Sequence, residues 1–367
     1  MDETRPRLAE RAKAFYHAHE PACTVGFFIA GFLFDTLAVG RIDELRGIIQ
    51  QAVYLLLCAL FTSYELRERC GDFAPRERFK TLWRYHTAAT HFMLGTLLNI
   101  YTLFYFKSAS LGTSFLFLLI LAGLLAVNEL KPFAGSGTTL RMTLFSLCLV
   151  SYFTFLVPTL VGAIGTLPFL GTLAASTACV AALARWLRPR LRDPRVLVTN
   201  LLAPFACVAL GFAALYFAKL IPPVPLSLSE IGVYHDVSRE GDHFLLSETR
   251  PRWRFWERGD QTFLARPDDK IFCYVQVFSP ARFRERLSLR WLQRDEAAGW
   301  QEEDAIKLDT AGGREGGWRG FAVKSRWKPG RWRVRVETSD ARELGRLDLT
   351  VIPDETTGPR ATRKLLR

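Results

Sequence analysis

Residues 142–164 read MTLFSLCLVSYFTFLVPTLVGAI, a continuous run without a charged side chain. An α-helix needs about 20 predominantly apolar residues to cross the hydrocarbon core of a bilayer, and this run is long enough. Six further apolar runs fill the first 220 positions, whereas a soluble core does not use seven in succession. The sequence therefore predicts a membrane all-α bundle of about seven transmembrane helices. We place the spans at 23–39, 48–64, 87–106, 114–127, 142–164, 167–187 and 196–221.

Lys and Arg residues are unevenly divided between the two sets of loops that seven spans create. The N-terminal tail and the loops at 66–84, 129–141 and 185–195 hold seventeen of them, whereas the opposite set holds four. Cytoplasmic loops carry the excess of Lys and Arg, so we predict a cytoplasmic N-terminus. Seven spans then place the chain beyond about residue 225 on the far side, which is the periplasm of a bacterium. Six or eight spans would reverse this placement.

The net charge of +12 arises mostly from these membrane loops. Cations near the ends of spans attract anionic lipid headgroups, so the lipid bilayer is the predicted partner. No nucleic-acid binding is expected, because the cations are dispersed and no recognition module is present. Residues 1–21 form a basic tail, and the first span is predicted to be a retained signal anchor because no cleavage site accompanies it.

The apolar pattern changes at about residue 225, after the predicted transmembrane domain at 22–224. Trp332, Val334 and Val336 alternate with charged residues, and alternation of this kind is typical of strands with one buried face. About eight such strands favour an all-β, immunoglobulin-like sandwich at 225–354. The remaining basic segment, 355–367, is predicted to be disordered.

Seven of the nine tryptophans lie in this C-terminal part. The alternation places Trp291 and Trp332 in the core of the predicted sandwich. Four others lie among Arg, Gly and Glu in predicted loops, where they would bind a ligand such as a glycan or a periplasmic protein. They are Trp253, Trp256, Trp300 and Trp318. The alternative is that these rings anchor at the headgroup level of the nearby membrane or cover the ends of the sandwich.

Few polar side chains occur at bilayer depth. Asp35 lies near the outer end of the first span, and His91 and Asn99 lie in the third. The simpler interpretation is an interfacial ion pair for Asp35 and helix packing for the other two. A transporter, a channel or a lipid-modifying membrane enzyme is the alternative, and it requires the three side chains to converge on one water-accessible cavity.

The sequence predicts no catalytic residue, no cofactor and no metal site. The glycine-rich segment 312–317 lacks the Lys-Ser/Thr of a phosphate loop. His235 and His243 are too isolated to predict a metal site or a triad. Cys273 is the one cysteine of the predicted exported part, so no disulfide is expected within it. An enzymatic role is therefore not the favoured interpretation.

Several short segments resemble a bacterial C-terminal domain known as domain of unknown function 2914. They are 221–228 (IPPVPLSL), 231–235 (IGVYH), 312–314 (GGR), 330–334 (GRWRV) and 337–338 (ET). Segments 34–35, 41–43 and 105–110 resemble the multi-span region that accompanies this domain, so the resemblance extends over nearly the whole chain. It implies no activity and no functional residue. The resemblance implies an Asp-Gly hairpin with glycine at position 341, and this chain departs from it because Ala341 stands there.

These observations together favour an uncharacterised multi-pass bacterial inner-membrane protein. It would present a periplasmic β-sandwich to an envelope component or a partner protein. This hypothesis predicts that the exposed tryptophans share one face of the sandwich.

Overall fold

The computed structural model describes residues 42–110, 112–129, 137–280, 283, 285–309 and 317–367. Residues Ile42–Arg367 belong to one unit, in which a helical bundle is followed by a β-rich region. The first predicted span, 23–39, and Asp35 within it lie outside the described residues.

Six long helices make up the described part of the bundle. They are α1 (Leu45–Arg69), α2 (His86–Ser108), α3 (Phe115–Glu129), α4 (Thr138–Val161), α5 (Thr166–Leu187) and α6 (Pro194–Phe217). Four of them, α1, α4, α5 and α6, are long and apolar enough to cross a membrane. The polar side chains of His91 and Asn99 lower the hydropathy of α2, and α3 has 15 residues. The described helices therefore do not reach the predicted count of seven spans.

The β-rich region contains eleven described strands, more than the eight that were expected. They are β1 (Ser227–Tyr234), β2 (Asp236–Glu240), β3 (His243–Glu248), β4 (Thr262–Ala265), β5 (Ile271–Phe278), β6 (Arg286–Asp295), β7 (Gly299–Asp309), β8 (Trp318–Lys324), β9 (Gly330–Glu337), β10 (Glu343–Pro353) and β11 (Arg363–Leu366). The additional strands are short, and short strands lack the repeated alternation that makes longer ones recognisable in a sequence.

Two sheets share the main core of this region. One has the strand order β1-β5-β8, and the other has the order β4-β10-β9-β6-β7. β4 pairs in parallel with β10, whereas β9 pairs antiparallel with both β10 and β6. Trp291 and Trp332 lie in the shared core, where they are 0% and 2% exposed. The prediction that these two tryptophans are core residues is confirmed.

A third sheet, with the order β11-β3-β2, includes residues 363–366 of the tail that was predicted to be disordered. β11 pairs antiparallel with β3, and Leu365 packs against a second apolar cluster that contains the buried Leu246. Arg363 forms an ion pair with the buried Glu248. Arg363 and Leu365 thus both have partners in the folded region, although the tail is basic.

The β9–β10 hairpin keeps a tight conformation although Ala341 stands where glycine was expected. Ala341 has a φ of 58°, in the left-handed region that glycine favours. Its N–H donates to the carbonyl of Thr338 at 3.0 Å, and Thr338 N–H donates to the carbonyl of Arg342 at 3.0 Å. These two main-chain bonds hold the turn in spite of the Cβ.

Arg342, on this hairpin, holds the β-rich region against one end of the bundle. Its guanidinium donates to the carbonyls of Tyr216 and Ile221 at 3.0 and 3.1 Å. It also lies 3.6 Å from the centroid of the Tyr216 ring. Asp340 accepts a hydrogen bond from Nε of Arg342 at 2.7 Å and orients the guanidinium. The Tyr216 carbonyl lies in the last turn of α6 and also accepts from the N–H of Lys219 at 2.9 Å, so Arg342 adds a second, charged donor at this end of α6.

The end of α2 meets the same edge of the β-rich region. Ser110 Oγ donates to Oε1 of Glu343 at 2.5 Å. Ser227 Oγ, at the start of β1, donates to the carbonyl of Lys107 at 2.5 Å. Two helix ends and one strand start are therefore joined at this junction.

We expect Arg342→Ala to loosen the junction while both parts stay folded. The variant loses two hydrogen bonds from a charged donor, each worth about 1.5–3 kcal/mol, to the carbonyls of Tyr216 and Ile221. In the detergent-solubilised full chain, trypsin should then cleave the variant after Lys219 at least several-fold faster than it cleaves the wild type. The measurement is the rate at which the fragment that begins at Leu220 appears. Arg331→Ala, which removes an exposed arginine of β9, is the control. Equal cleavage rates in the two variants would show that Arg342 does not hold the junction.

Candidate functional site

The exposed aromatic side chains of the β-rich region cluster between β3 and β4. Trp253, Phe255 and Trp256 are 62%, 82% and 60% exposed. The ring centroids of Trp253 and Trp256 are 5.7 Å apart, and those of Phe255 and Trp256 are 5.2 Å apart. A contiguous group of large apolar side chains in water marks an interaction site in a soluble region. We name residues 249–261 the aromatic loop.

Arg250 closes the aromatic loop on itself. Its guanidinium donates to the main-chain carbonyls of Arg254 and Glu257, and it pairs with Glu248 at 3.3 Å. These bonds hold the turn without any contribution from the aromatic rings. The rings are therefore available to contact another molecule.

The base of the aromatic loop is fixed to β1. Asp260 N–H donates to the carbonyl of Val233 at 2.7 Å. The Asp260 carboxylate accepts hydrogen bonds from the N–H and the hydroxyl of Thr249, both at 3.0 Å. Gly259 has a φ of 70°, and a Cβ there would collide with the Val233 carbonyl. Glycine is therefore required where the loop passes β1.

The aromatic loop lies at the end of β1 opposite the bundle. Ser227, which starts β1, contacts α2, whereas Val233 near the other end of β1 bridges to Gly259. Six residues of extended strand span about 20 Å. This separation along β1 argues against the alternative that Trp253 and Trp256 anchor in the headgroups around the bundle.

The other two tryptophans predicted to bind a ligand are not part of the aromatic loop. Trp300 lies in β7, and the guanidinium of Arg333 is 4.3 Å from the centroid of its ring. Trp318 lies in β8, where it packs against the main core, and its ring covers Gly320. Both were expected in loops. Their Gly- and Arg-rich neighbours suggested loops, but strand pairing places them in the sheets.

Of the three intramembrane polar residues, the structure describes His91 and Asn99. His91 and Asn99 are eight residues apart on α2, which separates them by about 12 Å along the helix. Neither residue is among those that line the three cavities described for this part of the chain. Asp35 lies outside the described residues.

A buried ion pair in the bundle was missed in the sequence. Glu65 of α1 and Arg141 of α4 are 4% and 2% exposed and bind each other. Arg69 also reaches Glu65, at 2.9 Å. Each residue lies near the end of a predicted span, where a charge is ordinary, so no local pattern signals the pair. A buried pair of this kind favours one register of α1 against α4.

His235, which seemed isolated in the sequence, supports the base of the aromatic loop. Its Nδ1 accepts a hydrogen bond from Arg360 at 3.0 Å, so Nε2 carries the proton of the neutral ring. Nε2 lies 3.7 Å from Oδ2 of Asp260 and 3.5 Å from Oγ1 of Thr249. A nucleophilic triad needs its hydroxyl and its carboxylate on different ring nitrogens, whereas both face Nε2 here. The arrangement is therefore structural.

The described residues hold no group of three or more His, Cys, Asp or Glu side chains that could bind a metal ion. Burial and, secondarily, the charge of Arg360 lower the pKa of His235 from 6.5 to about 4. Burial raises the pKa of Asp260 from 3.8 to about 6. The pKa values of these two side chains at the loop base are thus shifted in opposite directions.

Residues 284–351 match the model of a family described as "Protein of unknown function (DUF2914)". The match runs from β6 into β10 and includes the hairpin that carries Arg342, but neither the bundle nor the aromatic loop. The resemblance is thus shown for this C-terminal segment and not for the multi-span part. No curated protein matches the chain.

Solved structures show weak similarity to the chain. An immunoglobulin-like protein from Pseudomonas aeruginosa is 15% identical over 34% of this chain and 98% of that chain, with a TM-score of 0.20. A β-glucosidase from Listeria innocua is 12% identical over 30% of this chain, with a TM-score of 0.18, and the chain spans 16% of its length. The alkylpurine DNA glycosylase AlkC from Pseudomonas fluorescens is 10% identical over 85% of this chain and 99% of that chain, with a TM-score of 0.20. Scores this low carry no argument about fold or function.

We expect His235 and Asp260 to give opposite pH dependences of stability. The unfolded chain binds a proton on His235 near pH 6.5 and the folded chain near pH 4. The contribution of His235 to the stability of the folded chain therefore decreases as the pH falls from 6.5 to 4. Asp260 binds a proton near pH 6 in the folded chain and near pH 3.8 in the unfolded chain. Its contribution to the stability of the folded chain therefore increases as the pH falls from 6 to 3.8.

The free energy of unfolding of His235→Gln, relative to that of the wild type, should therefore rise by up to about 2 kcal/mol as the pH falls from 7 to 4.5. The free energy of unfolding of Asp260→Asn, relative to that of the wild type, should fall over the same range. Thermal unfolding of the detergent-solubilised chain, followed by tryptophan fluorescence, measures both changes. Parallel pH profiles for the three proteins would show that neither side chain titrates as described.

Proposed function

We propose that this chain is a multi-pass protein of a bacterial inner membrane with seven spans, one of them at 23–39, and a cytoplasmic N-terminus. Its β-rich region, an immunoglobulin-like sandwich, lies in the periplasm. There the aromatic loop docks onto an acidic surface of a partner protein. The observation that carries this proposal is the exposed aromatic and cationic loop at the end of the β-rich region far from the bundle.

The charge distribution of the bundle supports the orientation. Arg192 pairs with Asp72 at 3.0 Å, which brings the basic segments 66–84 and 185–195 to the same end. The other end, at the β-rich region, carries Arg46, Lys107 and Lys219. Because the cytoplasmic ends of spans carry the excess of Lys and Arg, the β-rich region belongs on the outer side. This argument uses the ends of the described helices and does not depend on the number of spans.

The composition of the aromatic loop supports a protein as the partner. Trp and Arg are the residues most enriched at the energetic hot spots of protein interfaces. Arg252 and Arg258 are exposed and form no ion pair with another residue in the described part of the chain. The guanidinium of Arg254 lies 4.9 Å from the centroid of the Trp253 ring. Exposed guanidinium groups beside apolar rings complement an acidic surface with an apolar pocket.

The orientation is tested with an epitope fused after Arg367. Protease added outside intact spheroplasts should remove the epitope, because the proposed periplasmic placement leaves the C-terminus outside the membrane. A cytoplasmic protein is the control for spheroplast integrity. Protection of the epitope until the membrane is broken would overturn the periplasmic placement.

Docking is tested by photocrosslinking in native membranes. A photoreactive phenylalanine analogue replaces Phe255 in the aromatic loop or, as a control, Ile352, an apolar side chain of β10 that is 41% exposed. We expect one discrete protein adduct from the Phe255 position and none of the same mass from the Ile352 position. Because the partner surface is acidic, the double variant Arg252→Glu/Arg258→Glu should lower the adduct yield at least tenfold.

Arg239→Glu, which reverses an exposed charge on β2, should leave the yield unchanged. Adducts to glycan alone, identical adducts from both positions, or a yield that both charge reversals lower equally would each contradict docking of a protein on the aromatic loop. These outcomes are independent of the spheroplast result.

A further inference from the structure

A cavity of about 630 Å³ lies at the end of the bundle away from the β-rich region. The end of α1, the segment 71–85 and the start of α2 line it. Its walls include Phe61, Tyr64, Phe73, Phe79 and Trp83, and Arg76 also lines it. Small-molecule sites in proteins occupy about 300–1,000 Å³, so this cavity is large enough for a ligand. We name it the interfacial cavity.

Trp83 holds the walls of the interfacial cavity in place. Its Nε1–H donates to Oε2 of Glu68 at 2.7 Å, and its ring stacks on His86 with centroids 4.1 Å apart. The Tyr64 and Phe73 rings contact each other at 4.9 Å, and Phe73 and Trp83 at 5.6 Å. The aromatic walls are thus fixed by contacts among themselves and by one hydrogen bond to α1. The cavity does not depend on a ligand for its shape.

Arg76 supplies a positive charge at the rim of the interfacial cavity. Its side chain is exposed, and its guanidinium forms no hydrogen bond or ion pair with another described residue. The nearby carboxylates are engaged, because Glu77 pairs with Lys80 at 2.6 Å and Glu68 accepts from Trp83. Apolar walls next to an unengaged guanidinium complement a ligand with an apolar chain and an anionic head. A guanidinium binds phosphate through charge-assisted hydrogen bonds, and phosphate is the anionic group of membrane lipids.

The interfacial cavity lies at the depth where lipid headgroups are expected. α1 ends nearby with Arg67 and Arg69 in its last turn, and Trp and Tyr rings are typical of the membrane–water interface. Leu60 and Ala89 line the part of the cavity nearer the middle of α1 and α2. An acyl chain can therefore lie towards the hydrocarbon while its phosphate stays beside Arg76.

We infer that the interfacial cavity binds one anionic phospholipid of the surrounding leaflet. One acyl chain lies among the aromatic walls, and the phosphate accepts hydrogen bonds from Arg76. A free phosphate ion would leave the apolar walls in contact with water. A zwitterionic lipid would bring a cationic headgroup close to the same arginine. The binding is independent of what the aromatic loop contacts at the other end of the protein.

Native mass spectrometry of the full chain in detergent micelles tests this inference. We expect the protein to retain one phosphatidylglycerol at least tenfold more tightly than phosphatidylcholine. Arg76→Gln should weaken phosphatidylglycerol binding about tenfold, because the charge-assisted bonds to phosphate are lost. Ala89→Phe, which places a ring inside the cavity, should abolish it. Arg188→Gln removes an exposed cation at the same end of the bundle but outside the cavity, and should bind as the wild type does.

The thermal unfolding midpoint of each variant identifies any that fail to fold, and Leu60→Phe then replaces Ala89→Phe as the variant that fills the cavity. Equal retention of the two lipids would overturn the inference. So would equal losses in Arg76→Gln and Arg188→Gln, which indicate general attraction to a cationic surface. Phosphatidylglycerol binding that appears only when residues 1–21 are removed would show that the chain's own N-terminal tail occupies the cavity.

Discussion

The arrangement of this protein depends on the contact between the Arg342 guanidinium and the end of α6. From the β9–β10 hairpin, Arg342 donates to the carbonyl of Tyr216 in the last turn of α6 and to that of Ile221 in the connection that follows. Asp340 on the same hairpin orients the guanidinium. The contact therefore converts a short connection between bundle and sheets into a defined junction, and it determines which end of the β-rich region faces away from the bundle.

The consequence of this junction is a molecule with two chemically different ends. The end of the bundle opposite the junction collects cations and aromatic rings around the interfacial cavity, with Trp83 fixed by Glu68. The far end of β1 carries the exposed rings of Trp253 and Trp256. Both ends combine arginine with aromatic side chains, but one adjoins the ends of apolar helices and the other is separated from the bundle by about 20 Å along a strand. Their expected ligands differ for that reason.

The candidate site was predictable in part. The exposure of Trp253 and Trp256 follows from their position in an Arg-rich segment without alternation. Trp300 and Trp318 have similar neighbours in the sequence, yet pairing with β6 and β5 places them in sheets, where they are partly covered. His235 has no partner nearby in the sequence, because Arg360 reaches it only after the tail folds back over the β-rich region.

The sequence by itself determined the class of this protein: apolar helices followed by a β-rich region with Trp291 and Trp332 in its core. The length of an apolar run predicts the helices and the alternation of apolar residues predicts the strands, and both patterns can be read from contiguous residues. Only the tertiary structure decided that Glu65 meets Arg141 and that the C-terminal tail forms a strand. Such contacts join residues dozens of positions apart, and their partners are selected by packing and register, which no local pattern encodes.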